Sequence, residues 1–392
     1  MKLKIFFKSF TFLQKICFLV IGLYLIVALA ADFIANDKPL YCICNGKAVY
    51  PIGKSYLELI GIADHTGAFD YKDCTSKIMT LIPFHANTLD PSSNGYSAPL
   101  TGSSTGIHYL GTDALGKDVL AGLIHGTRYA FIIGIVSTLF SMIPGIGIGM
   151  MMGFWQNHKL SLNYLQAIVI FLATLLFLFE LYTLSTVFHG LQWILMSCML
   201  CILFVLVIFG TGRILKVNGK KIILPIDSIL MRGIEIFESF PKLLILMTLT
   251  ILIERPGIFS LVIMMAIIRW PLFAQISRAE TLRVSKLNFT LSAENIGVHW
   301  FVILYRHIWP NMKETLWVTA LFSFSASILL EASLSFIGLG LKLERVSWGS
   351  LLNEGRQYFP GWWLSFFPGM AIFVLILTLN WLFDDKSKSI PS

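Results

Sequence analysis

Charge is what this sequence has least of. Only 13% of its 392 residues are Asp, Glu, Lys or Arg, against about 25% in a soluble globular domain. That shortage excludes an ordinary water-facing surface, and 56% hydrophobic and 14% aromatic residues fill the gap. One polytopic membrane domain with a loop insert is expected, not a string of soluble domains. The charge that remains is unbalanced, +8 net, but it is no nucleic-acid footprint. Lys2, Lys4, Lys8 and Lys15 precede one apolar run, and Arg213, Lys216, Lys220 and Lys221 follow another. Such clusters mark the cytoplasmic side of spans.

Cysteine is also scarce, at six residues. Cys17, Cys198 and Cys201 lie in apolar runs and read as small buried hydrophobes. Cys42, Cys44 and Cys74 fall in the polar segment 35–127. A disulfide from Cys74 to Cys42 or Cys44 and a set of unpaired thiols both remain open. No H-E-x-x-H zinc motif is present, and His158, His189, His299 and His307 are scattered. No metal and no catalytic residue is expected. A complete phosphate-binding loop is lacking too. Gly111-Thr-Asp-Ala-Leu-Gly116-Lys117-Asp118 comes near it, but the last position needs a hydroxyl for Mg²⁺. Asp113 and Asp118 would repel a triphosphate. The chain therefore has no ATP motor of its own and needs no cofactor.

Long hydrophobic runs are abundant. A helix needs roughly 20 apolar residues to cross a bilayer, which predicts spans near 14–34, 129–154, 164–187, 191–213, 234–254, 257–276, 314–338 and 365–383. The first run admits two readings, an uncleaved anchor or a signal peptide cut near Ala28-Leu29-Ala30; the anchor is the expectation. With the N-terminus inside, 35–127 lies outside, 277–313 inside, and the C-terminus inside. The outer segment is punctuated by Pro39, Pro51, Pro83, Pro91 and Pro99. Its short apolar pieces, Val49-Tyr-Pro-Ile and Ile78-Met-Thr-Leu-Ile, are candidates to pair. Glu180 and Glu331 fall within spans, where a carboxylate costs roughly 2.5–3.5 kcal/mol on insertion scales. A structural carboxylate facing protein is expected at each, rather than a proton relay.

Residues 269–311 stand apart, a polar and amphipathic stretch between runs able to span a bilayer. Phe289, Ala293, Ile296 and Trp300 recur at spacings of three and four, the stripe of an amphipathic helix. Gly297 interrupts it, as a residue that ends or turns a helix. Pro310 suits the first turn of the next helix. The expected shape is a short helix, a bend, a second helix, then a span. A membrane-surface helix without a partner is the alternative.

Five blocks in chain order give the resemblance its specificity: His108-Tyr-Leu-Gly111-Thr112-Asp113-Ala-Leu-Gly116-Lys-Asp118; Asp227 with Met231-Arg232 and Ser239-Phe-Pro241; Trp270 and Ala274 with Arg278 and Glu280; Gly297 with Pro310; and Glu331-Ala-Ser-Leu-Ser-Phe-Ile-Gly338-Leu-Gly340 followed by Ser347-Trp-Gly349. Over about 105–385 the chain resembles the inner-membrane permease subunits of binding-protein-dependent ABC importers, in their oligopeptide/dipeptide (peptide/nickel) branch. The long outer segment resembles a longer-looped subgroup of that branch. Where the family's coupling loop opens with E-A-A, this chain has Leu291-Ser292-Ala293, so the leading carboxylate is absent.

The resemblance implies an all-α polytopic membrane protein with the type I importer fold: six core spans, an inserted two-span hairpin and a periplasmic loop insert. The expected segments are 1–34 (N-terminus and first span), 35–127 (periplasmic insert), 128–155 (core span), 160–213 (inserted hairpin) and 222–385 (core permease domain with coupling loop 277–313). Phe289, Ala293, Glu294, Gly297, Trp300 and Pro310 would form the ATPase-coupling loop. Gly111, Thr112, Asp113, Gly116, Asp118, Arg278, Glu331, Gly338 and Gly340 carry the family motifs. The implied partners are a second permease subunit, two ABC ATPase subunits that bind the ATP, a periplasmic or lipid-anchored peptide-binding protein and membrane lipid, with no nucleic acid. The implied activity is peptide import across the bacterial inner membrane by a non-catalytic subunit. An ion-coupled secondary transporter, or a permease for nickel or another solute, is the alternative.

Overall fold

In the computed structural model of the chain, the residues described are 12–44, 47–52, 76–90, 95–103, 106–156, 161–163, 173, 176–177, 221–223, 225–253, 257–340 and 346–387. Helix α1 (Phe12–Leu29) is followed by a single turn, α2 (Ala31–Ile34). A small sheet comes next: β1 (Tyr41–Cys44), β2 (Lys47–Val49) and β3 (Ser76–Ile78), all antiparallel in the order β2-β1-β3. The two apolar pieces expected to pair with each other instead flank β1, with Cys42 opposite Val49 and Tyr41 opposite Ile78. A hairpin of β4 (Thr101–Gly102) and β5 (Ile107–His108) leads to the 37-residue helix α3 (Val119–Trp155).

Beyond α3, β6 (Ser161–Asn163) pairs antiparallel with β7 (Lys221–Ile223). The pairing brings the two ends of segment 164–220 side by side. The expected hairpin spans, with Glu180, Cys198 and Cys201, lie outside the described residues apart from helical turns at 173 and 176–177; Cys74 lies outside them as well.

The remaining helices are α4 (Ile226–Ser239), α5 (Lys242–Leu252), α6 (Ile258–Ser285), α7 (Asn288–Asn295), α8 (Trp300–Ile303), α9 (Trp309–Phe336), α10 (Trp348–Gln357) and α11 (Trp362–Ser387). Among the described residues five stretches are long and apolar enough to span a membrane: Phe12–Leu29, Val119–Trp155, Ile258–Ser285, Trp300–Phe336 and Trp362–Leu382. The span expected near 234–254 is broken. The chain is extended at Phe240 and Pro241, because Pro disfavours helix in the residue before it. The apolar helix that follows has only 11 residues, about 16 Å of rise.

α1 packs into the bundle. Tyr24 donates to the Ala371 carbonyl on α11 at 3.1 Å, and Arg128 Nε on α3 donates to the Ala28 carbonyl at 3.1 Å. Among the described residues, the closest helix pairing is α3 with α6. Gly145, Gly149 and Gly153 line one edge of α3 at four-residue spacing. A Cβ at Gly145 would lie 2.6 Å from Phe273 Cβ, and one at Gly153 would lie 2.7 Å from Thr281 Cβ. At Gly149 it would collide with Ser277 Oγ and the Ala274 carbonyl. Small residues at this spacing let two helix backbones touch where no hydrophobic drive operates, as in lipid.

Candidate functional site

The Trp155 end of α3 carries the segment expected to couple. α6 continues past its apolar portion to Ser285 and reverses at Lys286-Leu287 into α7. Thr290 locks the reversal by donating from Oγ1 to the Val284 carbonyl at 3.0 Å. α7 ends in a Schellman motif: Gly297, at φ +78°, donates to Glu294 O at 3.0 Å, and Val298 donates to Ala293 O at 3.1 Å. Only glycine adopts that φ without strain. His299 Nδ1 accepts from the Phe301 amide at the start of α8. A π turn, Leu304–Ile308, joins α8 to α9. Its cause is Pro310, which has no N–H for the Arg306 carbonyl. Helix, bend, helix, then span is the expected shape.

The stripe divides differently from expectation. Ala293 is buried, and Trp300 is half-buried against Trp155 with ring centroids 5.2 Å apart. These two therefore hold the segment to its own bundle and do not form the free edge. Phe289 and Ile296 are exposed, joined by Leu291, Phe301 and Tyr305. The three-and-four spacing thus spans two faces, with Ala293 and Trp300 turned inward and Phe289 and Ile296 outward. Beneath, Ala293, Ile303, Leu304 and Ile308 share one cluster with Ile146 and Phe154 of α3, Val284 of α6 and Met312 and Leu316 of α9. Glu294 is half-buried at the last turn of α7.

Polar clamps tie neighbouring helices to this end. Arg278 on α6 forms a bidentate pair with Asp227 at the start of α4. Gln275 donates to Glu238 at 2.8 Å near the other end of α4. Glu280 accepts from Thr315 of α9 at 3.1 Å and pairs with Arg283 at 2.8 Å. Asp227, Arg278 and Glu280 thus brace α4, α6 and α9 around the foot of the segment.

At the Asp118 end, the Gly111–Asp118 motif is a cap for α3. Asp118 accepts from the Ala121 amide at 2.7 Å, and His108 meets Asp118 at 2.8 Å and Asp90 at 3.1 Å. Asp113 accepts from the Leu115 and Lys117 amides, each at 2.8 Å. Thr112 donates to the Gly95 carbonyl at 2.6 Å, and Trp363 donates to the Thr112 carbonyl at 3.1 Å. Burial pushes the carboxyls of Asp113 and Asp118 above their ordinary range, while the amide bonds pull the other way. With these carboxylates turned inward, the loop offers no phosphate cradle.

The second motif closes on the same end. Gly338 and Leu339 cap α9 by donating to Ser335 O and Leu334 O. Gly340 and Gly349 abut Ser335, and Trp348 donates to the Leu123 carbonyl of α3 at 3.0 Å. Glu331 is buried and accepts from Ser335 Oγ at 2.7 Å, as a structural carboxylate does. Two short enzyme-like patterns also occur. Gly102-Ser-Ser-Thr-Gly106 spells G-x-S-x-G, but the described residues flanking it are the antiparallel strands β4 and β5, not a strand followed by a helix. Cys198-Met-Leu-Cys201 spells C-x-x-C outside the described residues.

The sequence is similar to those of known proteins. Residues 208–384 match the family described as binding-protein-dependent transport system inner membrane component. The di/tripeptide transport system permease protein DppC of Pseudomonas aeruginosa is 26% identical over 276 residues, 70% of this chain and 69% of its own length. The glutathione transport system permease protein GsiD of Pectobacterium atrosepticum is 26% identical over 280 residues, 71% of this chain and 70% of its own. A Brucella ovis relative reaches 33% identity over 181 residues, 45% of this chain and 58% of its own.

Proposed function

We infer that this chain is a permease component of an ABC peptide importer, a multi-pass membrane protein that works by moving and not by catalysing. The observation that carries the reading is the α7–α8 segment: one face docks on the ends of α3, α6 and α9, and the opposite face exposes Phe289, Leu291, Ile296, Phe301 and Tyr305. A separate ATPase would grip that exposed edge. Arg283, Lys286, Arg306 and Lys313 lie close to it in sequence, which suits a cytoplasmic location. The Asp118 end then faces the periplasm, where a binding protein would deliver peptide. A second permease subunit would complete the path, and two ATPase subunits would bind the ATP.

The mechanism follows from packing. Coupling requires two states that differ in contact at both ends. Closure of the ATPases displaces α7, and the shared cluster passes the displacement to α3, α6 and α9 together. The absent carboxylate at Leu291 makes this grip more apolar than an E-A-A opening would. Leu291→Asp and Ile296→Asp, both at exposed positions, should leave insertion and thermal stability unchanged while abolishing ATPase co-purification and peptide uptake. Wild-type uptake in both variants would refute the assignment.

A further inference from the structure

Three side chains far apart in sequence meet near the Asp118 end of the bundle: Asp32 on α2, His85 in the loop after β3, and His125 on α3. One ligand atom from each lies within 4.8 Å of the others. We propose that Asp32, His85 and His125 form a binding site for a divalent ion of the zinc class, joining the first helix, the outer segment and α3.

The geometry suits coordination better than hydrogen bonding. His125 is buried, and its Nε2 lies 2.8 Å from the Ala35 carbonyl. That contact makes Nε2 the N–H and turns the lone pair of Nδ1 toward Asp32. A metal-ligating histidine is ordinarily held this way, its second nitrogen donating to a backbone carbonyl. His125 Nδ1 and Asp32 Oδ1 are 3.7 Å apart, too far for a hydrogen bond. Two ligands about 2.0–2.1 Å from one tetrahedral zinc sit roughly 3.4 Å from each other, so a small inward movement completes the pair. Arg128 pairs with Oδ2 at 2.8 Å, and Oδ1 is the Asp32 oxygen turned toward His125. The His85 ring lies 4.6 Å from the His125 ring, tilted by 57°. The Asn87 amide donates to His85 Nδ1 at 3.1 Å, and the ring must give up or reorient that contact on binding. Two imidazoles and one carboxylate match a borderline ion better than Ca²⁺ or Mg²⁺, which prefer oxygen. Three protein ligands leave a fourth position for water or a donor from a ligand.

Co²⁺ titration of the full-length, tag-free chain in detergent micelles tests the proposal without any transport assay, so its outcome is separate from that of the permease reading. The expected result is a visible band set of a four-coordinate N/O site, saturating at one equivalent and displaced by Zn²⁺. His85→Ala and Asp32→Asn should each abolish the band and the one-equivalent break, while His158→Ala keeps both. His85 is half-buried on a loop, so its loss leaves the helices intact, and metal-free melting curves check this. No saturable band in the wild type, or a band unchanged by His85→Ala and Asp32→Asn, overturns the proposal.

Discussion

Two glycines two residues apart on α3, Gly147 and Gly149, should respond oppositely to the same methyl group. At Gly149 a Cβ would overlap Ser277 Oγ and the Ala274 carbonyl and sit 2.9 Å from the Ala274 carbonyl carbon. Two of the three obstacles are backbone, so no rotamer change relieves them. α3 and α6 must separate, and separation also opens the contacts at Gly145 and Gly153. It lengthens the bonds from Ser277 Oγ to Gly145 O and Ile146 O, already 3.4 Å each. Overpacking of this kind costs about 1–3 kcal/mol. At Gly147 nothing lies within 4 Å of the added carbon, and Ala in a helix is favoured over Gly by roughly 0.5–1 kcal/mol. Gly149→Ala and Gly147→Ala should therefore differ by about 1.5–4 kcal/mol, with Gly147→Ala at or above wild type. Unfolding of the purified chain in mixed micelles by SDS titration measures both. Equal stabilities would refute the seam. So would Gly147→Ala being the more damaging change.

Gly297→Ala meets open space and suffers only the left-handed backbone, about 1–2 kcal/mol; uptake should fall in proportion to the misfolded bend. Gly297→Pro should abolish uptake with insertion intact, since it forbids φ +78° and removes the donor to Glu294; protease mapping of the segment and transport measured on the same vesicles check this. Burial and the neighbouring Asp113 raise Glu354 to about 7. The folded state then holds a proton that the unfolded chain releases, so stability falls as pH rises from about 4.5 to about 7. Glu354→Gln should flatten that slope in thermal melts collected across this range, and an unchanged slope would remove Glu354 as its source.

Much of the architecture was legible because membranes restrict the choices. Apolar length placed a span in each of the five long apolar stretches among the described residues, but it missed several of their ends, since helices continue past the hydrocarbon edge wherever a cap permits. Asp118 starts α3 about ten residues before the expected span, and α6 runs about ten residues beyond its apolar part. The Pro241 break was visible as a residue yet unread as a break. The sequence blocks were legible as patterns, while their work was not. Nothing in His108 or Asp118 alone reveals that His108 meets both Asp118 and Asp90 in the fold. The glycine seam had a readable signal, Gly145-Ile-Gly-Ile-Gly149-Met-Met-Met-Gly153, which small-residue spacing would have found. Asp32, His85 and His125 had none, because only the folded chain brings them together.

The seam also constrains how force can travel. α3 rises about 55 Å over its length, well beyond the ~30 Å hydrocarbon core, so it meets Trp300 at one end and Trp348 at the other. A flexible contact between α3 and α6 would absorb a push on α7 by local repacking. Backbone-to-backbone contact at three successive glycines leaves no side-chain cushion to deform, and interiors packed this closely transmit strain. The pair must then tilt or translate as one body. Its far end moves the Trp348–Leu123 contact and the capped loop around Asp118, on the face where substrate would enter. A conformational signal of this kind needs no relay of titrating groups, which accords with Glu331 being held by a serine within its own helix.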